Sequence, residues 1–136
     1  MTSLLTDTSA FYALADRTDV HHAAAAAFLR EHAGTGRLLV SNHVFDETMT
    51  VVKARLGAPA ALQMGVRLRA SALVEWVVFT ADLELETWRL FGRHGDKAWS
   101  YTDCACLALA RARGLTAAFA FDRHFAQMGL TLRPQT

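Results

Sequence analysis

The chain has 136 residues, 52% hydrophobic and 20% charged, a balance that excludes a disordered segment and suits one domain spanning residues 1–136. Fourteen Lys and Arg against thirteen Asp and Glu leave a net charge of +1, so no basic tail announces nucleic acid. The longest apolar run, Ala23 to Leu29, is far below the ~20 residues of a membrane span. The N-terminus also lacks the basic start, apolar stretch and cleavage site of a signal peptide, so a cytoplasmic location is expected.

In chain order, Ser3 to Thr6 is a short apolar strand, followed by Asp7 and a helical segment from about Ser9 to Asp16. Asp19 is placed to cap a long helix reaching Ala33, which Gly34 and Gly36 end. Arg37 to Val40 reads as a strand, Asn42 to Leu56 as a helix stopped by Gly57, and Pro59 opens a helix to Ser71. Valine-rich Leu73 to Phe79 is the third strand, and Thr80 or Asp82 caps a helix to Phe91. A loop over Gly92 to Ala98 leads to a nearly apolar helix from Ser100 to Arg113, then a strand from Leu115 to Phe121. A short helix after Asp122 and a strand around Leu130 to Leu132 complete the chain. Short apolar strands without polar alternation, alternating with helices, predict a buried parallel sheet covered on both faces. Ligands in such sheets collect beyond the carboxyl ends of the strands.

Asp7 and Asp122 stand directly after apolar strands, where each can also be read as a helix N-cap. Ser100-Tyr101-Thr102-Asp103 matches a capping box, yet Asp103 shares a helix face with Leu107 and Ala110, at roughly +40° and −20° from it. With Val44 at zero, Glu47 falls at ~300°, beside Val44 and Val51, while Asp46 falls at ~200°, near Lys53 on the solvated side. His43, one turn before Glu47, makes an i, i+4 metal pair conceivable but without a third ligand at matching spacing. Cys104 and Cys106 face nearly opposite sides of their helix and read as unbridged, buried, small hydrophobes. His22 is read as a candidate rim residue, Arg123 and His124 as candidate phosphate contacts, and Trp99 and Tyr101 as candidate base-stacking groups; each also fits an ordinary surface or core role.

Carboxylates converging on one sheet edge repel one another unless a cation neutralises them. Hard divalent cations on oxygen ligands meet that need and suit phosphodiester hydrolysis by an activated water.

At this point the chain resembles the PIN-domain nucleases, specifically the VapC-type toxins of bacterial toxin–antitoxin operons. The resemblance runs over the whole chain. It rests on Leu5-Thr6-Asp7-Thr8-Ser9-Ala10, Asp19-Val20-His21-His22, Ser41 through Val44 to Glu47, Ser100-Tyr101-Thr102-Asp103, and Phe121-Asp122-Arg123-His124-Phe125 with Gly129. It implies an α/β/α sandwich on a five-stranded parallel sheet, and an acidic cluster of Asp7, Glu47, Asp103 and Asp122 with Asp7 and Asp103 as chief Mg²⁺ or Mn²⁺ ligands. Ser9 and Thr102, with Arg123, are the expected polar helpers. The family usually carries Thr two residues before its last Asp, where this chain has Ala120. The implied function is a metal-dependent ribonuclease toxin that pairs with itself and with an antitoxin. The antitoxin groove is expected on the helices at 42–56 and 59–71, with Phe45, Met49, Leu62 and Val66, and Leu73 just beyond. Two rivals are a catalytically silent RNA-binding module on the same fold and an aspartyl-phosphate phosphatase. The latter would need a second Asp two residues after Asp7, where Ser9 stands.

Overall fold

The computed structural model describes residues 2–135 and places five strands in one sheet of order β3-β2-β1-β4-β5, every pair parallel. The strands are β1 (Thr2–Thr6), β2 (Gly36–Ser41), β3 (Val74–Val77), β4 (Ala117–Phe119) and β5 (Thr131–Arg133). The helices are α1 (Thr8–Ala15), α2 (His22–His32), α3 (Asn42–Leu56), α4 (Ala58–Ala70), α5 (Ala81–Arg93), α6 (Tyr101–Arg113) and α7 (His124–Gln127). The result is the three-layer α/β/α sandwich expected.

The central strands explain why the sequence shows no alternation. Leu4, Leu5 and Thr6 in β1 and Leu38 to Ser41 in β2 are buried in succession, because helices cover both faces. Helix α6 goes further, with every residue from Asp103 to Ala110 buried. Its small Ala and Cys side chains let it lie within the fold, touching α3, α5, α7 and β1. A second, smaller core of Leu90, Trp99, Cys104, Leu107 and Ala108 joins it to α5.

The strand order reverses between β1 and β4, while the strands stay parallel. β1 leads outward to β2 and β3, and the chain then returns to β4 on the other side of β1. The crevice at such a switch point lies beyond the strand ends. Here the ladder closes with Thr6 opposite Phe119, and the Asp7 N–H donates to the Phe119 carbonyl at 3.1 Å.

Several boundaries differ from expectation. α2 starts at His22, not Asp19; the Asp19 carboxylate instead accepts from His21 N at 2.8 Å and holds a turn before the helix. Thr80, not Asp82, caps α5, accepting from Leu83 N, and α5 runs on to Arg93. β3 and β4 are shorter than their apolar runs, because pairing stops at Val77 and Phe119 while Val78 is exposed and Phe121 packs against the core from outside the ladder.

Helices α3 and α4 meet closely at Gly65, where an added Cβ would lie 3.1 Å from Met49 Sδ. That approach takes Phe45 and Met49 out of the expected groove and packs them against the core, Phe45 edge-on to Trp76 at 5.2 Å. Leu62 and Val66 do stand exposed on α4. The turn between the helices needs Gly57, whose φ is 96°.

Candidate active site

Asp7 follows β1 and caps α1. Its Oδ2 accepts from Ser9 N at 3.1 Å and from Ser9 Oγ at 2.7 Å. Its Oδ1 is buried and has no hydrogen-bond partner among the described residues. Burial pushes this carboxyl up to about 6, the Ser9 hydrogen bonds oppose the rise, and the nearby Asp103 and Glu47 charges add to it. Ser9 Oγ also accepts from Phe121 N at 3.0 Å, so one hydroxyl ties the start of α1 to the chain leaving β4. The backbone beside Ala120 is thus held from a different element, although residue 120 has no hydroxyl of its own.

Asp103 lies in the first turn of α6 and forms the expected capping box: Ser100 Oγ accepts from Asp103 N at 3.0 Å, and Asp103 Oδ2 accepts from Ser100 N at 2.9 Å. It is nevertheless only 5% exposed. The cap and the inward-facing position are both real, because the first turn of a buried helix puts its third residue at the cleft floor. The N-termini of α1 and α6 both open here, and their partial positive ends offset some of the carboxylate repulsion.

Asp122 stands three residues beyond β4 and accepts from His124 N at 2.9 Å through Oδ1. Glu47 is half-buried on α3, and Asp46 beside it is exposed, as the helical phase predicts. Asp7, Glu47, Asp103 and Asp122 line one open cleft of about 470 Å³. Beneath them the Cys106 thiol is fully buried and pushed well above its usual range, by burial first and then by the Asp7, Asp103 and Glu47 charges. Both cysteines are free and buried.

Among the expected helpers, Ser9 reaches the cleft, while Thr102 and the exposed Arg123 do not line it. His22 is turned away, its Nδ1 2.8 Å from the Ala13 carbonyl; the neighbouring His21 lines the cleft instead, stacked on Phe121 at 4.3 Å. His43 pairs with Glu84 on α5 and packs edge-on against Phe79, so it forms no metal pair with Glu47. Trp99 is buried, its indole N–H donating to Gln127 Oε1 at 2.8 Å, which removes it as a base-stacking group. Tyr101 is half-buried between His43 and Phe91.

The sequence reading missed Tyr12, Asp19 and Arg55 as lining residues. Arg55 was within reach of helical arithmetic, since steps of four from Glu47 through Val51 lead to it along one face. It is exposed and lies 5.0 Å over the Tyr12 ring.

The residues fit a divalent cation. A buried carboxylate oxygen without a donor, raised in pKa and flanked by three further carboxylates, is an electrostatic debt that such a cation removes.

The PIN-domain profile matches residues 4–130. The chain is 32% identical over 133 residues to the 23S rRNA-specific endonuclease VapC20 of Mycobacterium tuberculosis H37Rv, covering 97% of this chain and 99% of that one. It is 34% identical over 104 residues to a VapC ribonuclease of Archaeoglobus fulgidus, covering 73% of this chain and 64% of that one. The crystal structure of M. tuberculosis VapC20, a sarcin–ricin loop cleaving toxin, superposes with a TM-score of 0.87 at 31% identity, over 94% of this chain and 96% of that one. VapBC2 from Rickettsia felis, bound to a DNA fragment from its promoter, shares the fold at a TM-score of 0.73 and 13% identity, over 97% of this chain and 98% of that one. The chain belongs to the PIN-domain family and, within it, to the VapC-type proteins.

Proposed function

We propose that the protein is a divalent-metal-dependent ribonuclease, the toxin of a toxin–antitoxin pair, acting in the cytoplasm. The observation that carries this reading is Asp7, with one oxygen clamped by Ser9 and the other buried and unpartnered among three more carboxylates. Asp7 and Asp103 would hold Mg²⁺ or Mn²⁺, with Glu47 and Asp122 at the rim of the same site. Bound there, the cation would supply charge neutralisation, polarisation of phosphoryl oxygens and a water that gives up its proton near neutral pH.

The chain's own residues do the rest. Ser9 holds the Asp7 rotamer, and Ser100 holds Asp103, so neither carboxylate must reorganise when substrate arrives. Glu47, half-buried and lining the cleft with Val51, would orient the attacking water or accept its proton. Arg55 is the one Lys or Arg that lines the cleft among the described residues, which makes it the first candidate to bind an RNA phosphate. An attacking water leaves the ribose 2′-hydroxyl unused, so the products should carry 5′-phosphate and 3′-hydroxyl ends.

VapC20 acts on 23S rRNA, and its likeness along nearly the whole chain makes a sarcin–ricin stem-loop the first substrate to test. The protein should cut it in Mg²⁺ or Mn²⁺ and be silent in EDTA. Metal-independent cleavage, or products ending in 2′,3′-cyclic phosphate, would refute the mechanism; no cleavage of any RNA would favour the silent RNA-binding module.

For the antitoxin, the surface that fits lies on α4 with the cleft beside it. Leu62 and Val66 are exposed there, and Leu14, Leu29, Met64, Leu68 and Leu73 line a cavity of about 340 Å³ between α1, α2 and α4. For the homodimer, α5 presents Leu85, Trp88 and Phe91 to solvent, apolar and aromatic side chains of the kind that interface cores use.

A further inference from the structure

His124 lines the cleft, and the proposed mechanism leaves it without a task. Its Nδ1 lies 2.9 Å from Asp103 Oδ2 and 3.3 Å from Asp122 Oδ1. One ligand atom from each of these three residues falls within 4.8 Å of the other two. In an octahedral shell with bonds of about 2.1 Å, adjacent ligand atoms stand about 3.0 Å apart, the bond length multiplied by √2. The spacing around the His124 imidazole is therefore that of neighbouring ligands as well as that of hydrogen bonds.

The three donors are also held in place. Asp122 Oδ1 accepts from His124 N at 2.9 Å, which locks the two into one turn at the start of α7. Asp103 is fixed from the other side by Ser100. Independently, the buried Oδ1 of Asp7 in the same cleft has no partner among the described residues, a vacancy in hydrogen bonding that points to a cation.

We propose that the cleft offers two kinds of cation position: an all-oxygen one on Asp7 and Asp103, and a mixed one on Asp103, Asp122 and His124. The inference rests on the metal-dependent reading above and adds a nitrogen ligand to it. The chemistry of the donors separates the two positions. Mg²⁺ prefers oxygen and water in a strict octahedron, whereas imidazole favours Mn²⁺ and increasingly the later first-row metals. His124 thus makes this protein selective for transition metals at one position while the other accepts Mg²⁺. Asp103, common to both, couples them. The competing explanation is that His124 is only a clamp, a hydrogen-bond donor that holds Asp103 and Asp122 in place.

Pulsed electron paramagnetic resonance of Mn²⁺ bound to the full chain distinguishes ligand from clamp, because a coordinated imidazole couples its ¹⁴N nucleus to the metal spin. Bound Mn²⁺ should show that coupling in the wild type, lose it in His124→Gln, and keep it in His21→Gln, the control for the other histidine that lines the cleft. Calorimetric titration should show Mn²⁺ affinity falling about tenfold or more in His124→Gln. Mg²⁺ affinity should stay within about twofold, since no Mg²⁺ ligand has been removed. Bound Mn²⁺ without nitrogen coupling in the wild type overturns the proposal and leaves the nuclease reading standing. So does coupling that survives in His124→Gln, or an equal loss of Mn²⁺ and Mg²⁺ affinity, the signature of a clamp. A wild type that binds neither ion removes the metal-dependent reading and this inference together.

Discussion

Replacing Asp7 by Asn should make the metal-free protein more stable while destroying its site. The carboxyl is raised from 3.8 to about 6, chiefly by burial. Below about pH 4 the group is neutral in both folded and unfolded chains. Between 3.8 and about 6 only the folded state keeps the proton, so the contribution of Asp7 to stability falls as the pH rises through that window. Above it, the full cost of burying the charge is present. A shift of about two pKa units corresponds to ~3 kcal/mol. Asn keeps the shape and can accept both Ser9 hydrogen bonds, but its NH₂ group becomes a buried donor where Oδ1 was, which offsets a part of that, so the net gain at pH 8 is roughly 1–2 kcal/mol. For a chain of this length that is a rise in Tm of roughly 3–7 °C. Thermal melts of both proteins in EDTA at pH 4 and pH 8 check this, the difference being large at pH 8 and nearly absent at pH 4. Excess Mg²⁺ at pH 8 should raise the wild-type Tm by mass action and leave Asp7→Asn unmoved. A variant no more stable than wild type at pH 8 without metal, or one equally stabilised at both pH values, would refute the electrostatic account of Asp7.

Two further predictions concern the walls of the cleft. Glu47→Gln should cost on the order of 2–4 kcal/mol of transition-state stabilisation. Asp46→Asn, on the exposed side of the same helix, should cost a few tenths of a kcal/mol; single-turnover cleavage by the two variants compares them directly, and a dead Asp46→Asn beside an active Glu47→Gln would overturn the site assignment. Arg55→Gln should raise KM about tenfold with kcat retained, and lower the log–log salt slope of RNA binding by roughly 0.7, the share of one phosphate contact on a single strand. An unchanged KM and salt slope would show that Arg55 serves only to pack on Tyr12.

Local pattern in the sequence determined a good deal about this protein. Apolar runs such as Leu4-Leu5 and Leu38-Leu39-Val40 have no polar alternation because both faces of a parallel sheet are covered, so the class of fold is written in them. Caps at Thr80 and Ser100 are short-range chemistry, a hydroxyl and an N–H three residues away, and are legible for that reason. The split between buried-edge Glu47 and solvated Asp46 follows from helical phase alone. Tertiary structure decided the rest. Asp19 has every local feature of an N-cap, yet the backbone turns once more and hands the helix start to His22. His21 rather than His22 faces the cleft because Phe121, a hundred residues later, offers it a ring to stack on. Trp99 lost any part in RNA binding to a partner, Gln127, on another element. Phe45 and Met49 on α3 pack at a close contact with Gly65 of α4 and not on an open groove. Each of these outcomes depends on a contact between residues far apart in the chain, and one-dimensional periodicity carries no information about which distant side chain arrives. The same holds at the centre of the site: that Asp7 and Asp122 stand at strand ends is visible locally, but that Asp7 keeps one oxygen without a partner, deep beside Asp103 and Glu47, exists only once β1, α3, β4 and α6 have met.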